Sequence, residues 1–289
     1  MSNLIEDPAS LLLTPDLTKL GFEKVDPTIN YKFSIATAAK EKEGKTTFSF
    51  TAPGPIGAIA TDAGTEEIAK NFLTQKPIII NYFKSADELQ QDDVKNDKAR
   101  QEMYEREWAR MKSSILAMIR SKRIRTLIID TATEAWELCR LAEFGKLTQV
   151  MPHHYTTVNQ EFKALVKAAA ENPVLNSVWI HKKGKEYKTN SSGKDTWSGK
   201  WERKGFGDMA FLVDVNADHF FQPSGSLVAN SDGQNETLKE GRFGVRVIDS
   251  RINMLSVAGQ DFIGDSCKFE ELAVALYPDT YGSDVWRTK

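Results

Sequence analysis

Cysteine is almost missing from this chain. Among 289 residues only Cys139 and Cys267 occur, far apart and in no CxxC or Cys/His spacing. That excludes a disulfide framework and a zinc site built on the usual ligand pairs, and it fits a reducing compartment. Long apolar runs are missing too: no stretch reaches the roughly 18 residues of a membrane span. The N-terminal MSNLIEDPASLLLTPDL lacks the basic segment of a secretory signal. The expectation is therefore an untargeted cytoplasmic protein with no membrane partner. Nor is there an excess of one charge: 38 Lys and Arg stand against 40 Asp and Glu, a formal net charge of -2. No global field draws the chain to nucleic acid or anionic lipid, so any such contact is a local patch.

What is present is an alternation of apolar runs and amphipathic stretches. Residues 1–30, with Pro8, Pro15 and Pro27 among short apolar clusters, read as an irregular arm. YKFSIATA (31–38), PIGAIAT (55–61), IIINYF (78–83), RTLIIDT ending near Asp130, and NSVWIHKK read as strands. Residues 85–122, with Trp108, Met111, Ile115 and Met118 at spacings of three and four, predict one long amphipathic helix, and VNQEFKALVKAAAEN predicts another. Strands alternating with helices imply right-handed crossovers and a mostly parallel sheet. GDMAFLVDV (207–215) and RFGVRVIDSR (242–251) read as later strands of antiparallel character, and KFEELAVALYPDT as a C-terminal helix before a polar tail. The expected organisation is an arm at 1–30, an α/β core at 31–255 and a helix and tail at 256–289.

AAKEKEGKTTFSF (38–50) carries the first chemical signal. A phosphate-binding loop has Gly, four free residues and Gly-Lys-Ser/Thr. Gly44-Lys45-Thr46 supplies the end of that pattern between a predicted strand and helix, and Ala39 stands where the first glycine belongs. Alanine serves there if the chain enters the loop in an ordinary conformation. The loop predicts that backbone N–H groups of Gly44 to Thr47 meet phosphate oxygens, that Lys45 bridges the outer phosphates, and that Thr46 holds Mg2+. Glu41 and Glu43 are out of place beside phosphates unless they point away or meet a cation such as Lys40 or Lys42. A solvated charged turn is the competing reading of the same residues.

Asp130, closing an apolar strand, is the expected partner of Thr46 in the metal shell. Its position also suits an N-cap for the following helix, with Thr131, Thr133 and Glu134 in the first turn.

The series GKTTF, GPIGAIATDAGTEE, RTLIIDTATEAWEL and VNQEFKALVKAAAENPVLNSVWIHKKGKEY resembles the RecA-type ATPases, especially the short phage RecA-like ATPases associated with single-strand annealing and recombination. The resemblance spans roughly residues 31–255 and implies a RecA-like P-loop core. It implies that the acid after the second strand orients the attacking water. The matching position is Asp62, where the recombinases more often carry Glu; Glu66 and Glu67 are neighbouring rivals, and a plain Asp/Gly turn is the alternative. It places a phosphate-sensing polar residue at His181, which also reads as a satisfied polar residue at a strand end. It puts nucleotide between subunits, with Arg246 and Arg251 as trans-acting candidates, although strand arginines are commonly surface ion-pair partners.

The segment 182–206 interleaves Lys182, Lys183, Lys185 and Arg203 with Tyr187, Trp197 and Trp201, and reads as a mobile loop or hairpin. Cations for phosphates and flat faces for bases suit single-stranded DNA. A subunit contact is the other reading. The expectation is thus an oligomeric, Mg-dependent ATPase that touches single-stranded DNA. The alternatives are an ATP-dependent assembly or regulatory protein without DNA, and a module that binds nucleotide without hydrolysing it.

Overall fold

The computed structural model describes residue 19 and residues 30–92, 96–145, 155–189, 193–229 and 235–286. The chain divides into two units, residues 1–30 and residues 31–289; the expected arm lies almost wholly outside the described residues.

In order, the elements are β1 (Ser34–Ala39), α1 (Lys45–Phe50), β2 (Ile56–Ala60), α2 (Gly64–Lys70), β3 (Ile78–Tyr82), α3 (Ala86–Gln91), α4 (Asp97–Arg120), β4 (Thr126–Asp130), α5 (Ala132–Phe144) and α6 (Tyr155–Glu171). They continue with β5 (Asn176–Thr189), β6 (Asp195–Arg203), α7 (Met209–Leu212), β7 (Val215–Gln222), β8 (Leu227–Ala229), β9 (Asn235–Thr237), β10 (Arg242–Ser250), α8 (Met254–Val257), β11 (Asp261–Ile263) and α9 (Phe269–Leu276).

The main sheet runs β11-β10-β7-β1-β5-β4-β2-β3, with β6 paired to β5 alone. Every pair from β7 to β3 is parallel, and β10 and β11 add an antiparallel margin. β1, β2 and β4 are buried along their whole length, as strands covered on both faces must be. On one face α4, α5 and α6 bury Trp108, Met111, Ile115 and Phe162 against Trp179. On the other, α1 and α9 bury Phe48, Phe50, Phe269 and Leu272 against Ile35, Val178 and Val215. This is the mostly parallel, helix-flanked α/β sheet with C-terminal antiparallel strands that the alternation of apolar runs and amphipathic stretches predicts.

Register sets the functional end. Ala39 pairs with Lys182, Asp130 with Ile180, and Ala60 with Asp130. The loops after β1, β2 and β4 therefore leave the sheet side by side at its C-terminal edge, where ligands of open α/β sheets bind. One strand, β5, separates the strand that feeds Gly44 from the strand that ends in Asp130.

Two expectations change. Residues 85–122 are two helices rather than one, because Ser85 closes a capping box with Glu88 and Asn96 starts a second helix by accepting from the Ala99 N–H at 2.9 Å. GDMAFLVDV is not a strand: Met209–Leu212 turn as a helix with Met209 buried, and the strand begins only at Val215. Its short apolar run had no periodicity to separate the two forms. The strand that starts there, β7, is parallel to β1 and antiparallel to β10. Of the two readings of 182–206, loop or hairpin, the hairpin is the one that forms, since β5 runs on past Ile180 to Thr189 and pairs back with β6. Among the described residues, no helix is long and apolar enough to cross a membrane.

Candidate functional site

Ala39 is the last residue of β1, buried and in ordinary strand conformation. Left-handed backbone is needed further on, at Lys42 (φ 60°) and Gly44 (φ 83°). Glu43 folds back so that its Oε2 accepts the Lys40 N–H at 2.8 Å, which turns that carboxylate toward the start of the loop. Lys45 Nζ donates to the Lys40 carbonyl at 3.4 Å. Gly44 starts α1 with no side-chain cap, so the first-turn N–H groups have no competing carboxylate or hydroxyl from that position.

At the end of β4, Asp130 is 1% exposed. Its Oδ2 accepts the hydroxyls of Thr46 at 2.9 Å and Thr65 at 3.0 Å, while Oδ1 is buried with no partner. Burial pushes the carboxyl above its usual range, opposed by the two hydroxyls and by the charge of Lys45. Asp130 is not the helix cap: Thr131 accepts the Glu134 N–H at 3.2 Å and fills that place. An unpartnered carboxylate oxygen beside a threonine hydroxyl is a donor set that fits Mg2+ and its water shell.

Asp62 follows β2 and is exposed; its Oδ1 accepts the Gly64 N–H at 2.9 Å in a local turn. It stands near enough to Asp130 to raise that carboxyl further. Glu66 accepts from the Tyr82 hydroxyl at 3.3 Å and faces Lys70, which also pairs with Glu67. Of the three acids, Asp62 alone is free of an ion pair with Lys70 and bound only through its own turn.

His181 differs from its expected form. It is fully buried, and Nδ1 lies 3.0 Å from the Lys204 carbonyl, which can only accept. Nδ1 therefore carries the proton, and Nε2 is an acceptor without a partner. Burial holds the imidazole down at about 3, with Arg203 adding to the effect. The donor that a phosphate sensor needs is already committed to the hairpin.

The hairpin's cations divide into two sets. Lys182 pairs with Glu134, Lys183 with Asp218 at 2.7 Å, and Arg203 donates to Asn216 at 2.9 Å; these fasten its base. Farther out, Lys185 lies over Trp197 at 5.2 Å, and Tyr187, Trp197 and Trp201 are exposed by 58%, 50% and 40%. Lys40, in the loop after β1, lies over Trp201 at 4.4 Å. Arg246 is held by Asp261 through two bonds of 2.6 and 2.7 Å, and Arg251 donates to the Phe211 carbonyl. Both trans-acting candidates are engaged within their own chain.

Several site residues escape the sequence reading. Thr65 is one, its threonine signal hidden by the distance in sequence to Asp130. A cavity of about 1190 Å³ opens beside Gly44 and Thr47, walled by Arg242, Phe243 and residues 263–268. Phe243 packs over Gly44 so closely that a Cβ there would meet its ring at 2.9 Å. His219 is buried under the loop, edge-on to Phe48 at 5.1 Å, with neither nitrogen partnered; burial lowers it to about 3.

A family model described as an AAA domain matches residues 32–223. No curated protein matches the chain. Among solved structures, the RadB recombinase is similar with a TM-score of 0.39 at 8% identity, over 80% of this chain and 86% of that one.

Proposed function

The chain belongs to the AAA domain family, and from that premise we propose that it binds ATP with Mg2+ and hydrolyses it. The observation that carries this reading is the meeting of Thr46 with Asp130 at 2.9 Å beside an unpartnered Oδ1. Gly44, Lys45, Thr46 and Thr47 take the phosphates. Thr46 and Asp130 would hold the metal, which would supply neutralisation of the phosphates' negative charge. Base and ribose lie in the cavity walled by Arg242 and Phe243.

Asp62, with Glu66 as its rival, orients a water whose oxygen bonds to the terminal phosphorus as the bond to the ADP oxygen breaks; the water's proton passes to solvent or the carboxylate, leaving ADP and phosphate. Lys45 must leave the Lys40 carbonyl to reach phosphate. His181 serves this cycle by holding the Lys204 end of the hairpin rather than by donating to phosphate.

In its biological setting we place the protein among oligomeric ATPases of phage-type recombination or annealing, with nucleotide between subunits and single-stranded DNA on Lys185, Tyr187, Trp197 and Trp201. Arg246 and Arg251 act in trans only after exchanging their present partners. A second reading, an assembly or regulatory ATPase without DNA, has its own support: Lys182, Lys183 and Arg203 are spent inside the chain.

The test is ATP hydrolysis by the wild type and Lys45→Ala, with and without single-stranded DNA, at low and moderate salt. Turnover that DNA stimulates and Lys45→Ala abolishes supports the first reading. Turnover indifferent to DNA supports the second, and binding without turnover removes the enzyme.

A further inference from the structure

We propose that Trp201 is a positioning residue of the phosphate loop: through Lys40 it joins the hairpin to the loop, so that nucleotide binding and occupation of the hairpin's aromatic face are energetically linked. The inference rests on the nucleotide reading above and names a regulation of that same site.

Three groups of Lys40 point three ways. Its ammonium lies over the Trp201 ring at 4.4 Å, its N–H donates to Glu43 at 2.8 Å, and its carbonyl accepts from Lys45 Nζ at 3.4 Å. Lys45 is the residue that must turn toward phosphate. When it does, it leaves the carbonyl of the residue whose side chain holds the hairpin. The hairpin is placed to respond, because Ala39 and Lys182 are register partners and its base is fixed by Lys183–Asp218 and Arg203–Asn216.

Trp201 is paired opposite Lys185, whose ammonium covers Trp197. The two exposed tryptophans and the two lysines over them thus form one surface that ends on the loop. A ligand that stacks on Trp201 or draws off Lys40 changes the loop, and by reciprocity nucleotide changes the affinity for that ligand by the same factor. An exposed cation–π contact sets the size of the effect at roughly two- to fivefold in affinity.

The experiment is a titration of wild type, Lys40→Met, Trp201→Phe, Trp197→Phe and the Lys40→Met/Trp201→Phe double variant with Mg-ATP, followed in parallel by tryptophan emission and by calorimetry. We expect ATP to change the emission of the wild type and of Trp197→Phe, and that change to vanish in Trp201→Phe and in Lys40→Met. We expect the ATP Kd of Lys40→Met to shift by roughly two- to fivefold and that of Trp201→Phe, which keeps a weaker aromatic face, to shift the same way by less, with the double variant no further shifted than Lys40→Met. An emission change that survives Trp201→Phe, or shifts that add in the double variant, overturns the inference. Heat of binding with no emission change also overturns it and leaves the nucleotide site standing, whereas no heat in the wild type removes the site and the inference together.

Discussion

The hydroxyl of Thr46 donates to Oδ2 of Asp130 across 84 residues of sequence, and Thr65 donates to the same oxygen. Both donors are spent on one carboxylate oxygen, so the other, Oδ1, is left without a partner in a buried position. A buried acceptor with nothing to accept carries a desolvation cost of about 1–3 kcal/mol. A cation that arrives with its own waters would relieve that cost, which is the physical ground for proposing the metal at this pair.

Asp130→Asn keeps an acceptor for both threonines and removes the buried charge. Asp130 has its pKa raised by burial, so its ionised form destabilises the fold at neutral pH and the strain fades as pH falls through its folded pKa. The variant is expected to melt a few degrees above wild type at pH 7, on the order of 1 kcal/mol, with that advantage shrinking in acid. Hydrolysis is expected to fall by at least two orders of magnitude. Thermal melts at pH 7 and pH 4.5 beside a steady-state assay check both halves; an Asn variant that melts lower at pH 7 rejects the charge argument.

Ala39→Gly restores the missing motif glycine and is expected to gain nothing. Ala39 is buried strand with no left-handed backbone, so glycine adds only chain entropy and loses a packed methyl, a cost of about 0.5–1 kcal/mol. Nucleotide affinity measured by calorimetry should stay within twofold of wild type while the denaturation midpoint falls. Markedly tighter binding would show that the alanine restricts the loop after all.

Gly44→Ala fails for two separable reasons. The backbone there has φ 83°, which costs an L-residue about 1–2 kcal/mol, and the new methyl meets Phe243 at 2.9 Å. Nucleotide binding is expected to drop at least tenfold. Gly44→Ala/Phe243→Ala removes the clash and keeps the backbone strain, so it should recover stability partly relative to the additive sum of the singles, a coupling a double-mutant cycle measures directly. Strict additivity would mean that Phe243 moves aside freely.

The parts of this site that were legible in the sequence lie on strands buried on both faces. β1 and β4 read as apolar runs, and their ends, Gly44-Lys45-Thr46 and Asp130, could be named and oriented from local pattern alone. Composition also marked the hairpin. Its internal pairing was not legible, because Glu134 and Asp218, which take Lys182 and Lys183, come from α5 and β7. Thr65 and Phe243 were hidden for the same reason: each becomes a site residue only when the sheet brings it beside Asp130 or Gly44. The break before Asn96 was missed because the apolar spacing within α4 gives no sign of where its helix starts, and the Asn96 cap decides it.

Two buried histidines give the last prediction. His181 and His219 are both fully buried and held down at about 3 by desolvation, against about 6.5 in an unfolded chain. Between those values the unfolded state binds a proton that the folded state refuses, so the histidines' contribution to stability is complete above about pH 6.5 and falls as pH drops toward 3. Each histidine contributes a slope of up to about 1.4 kcal/mol per pH unit. His219→Phe keeps a ring against Phe48 and strands no partner, since neither nitrogen of His219 is bonded. It should flatten the wild-type dependence by one proton between pH 6 and 4 without loss of stability at pH 7. His181→Phe should flatten it equally but cost about 1 kcal/mol at pH 7, because the Lys204 carbonyl loses one of its two side-chain donors and keeps only Thr133. Denaturant unfolding across that pH range separates the two variants. An unchanged slope in His219→Phe would mean that this imidazole is charged in the fold, and with it that water or an anion reaches the space beneath the loop that follows β1.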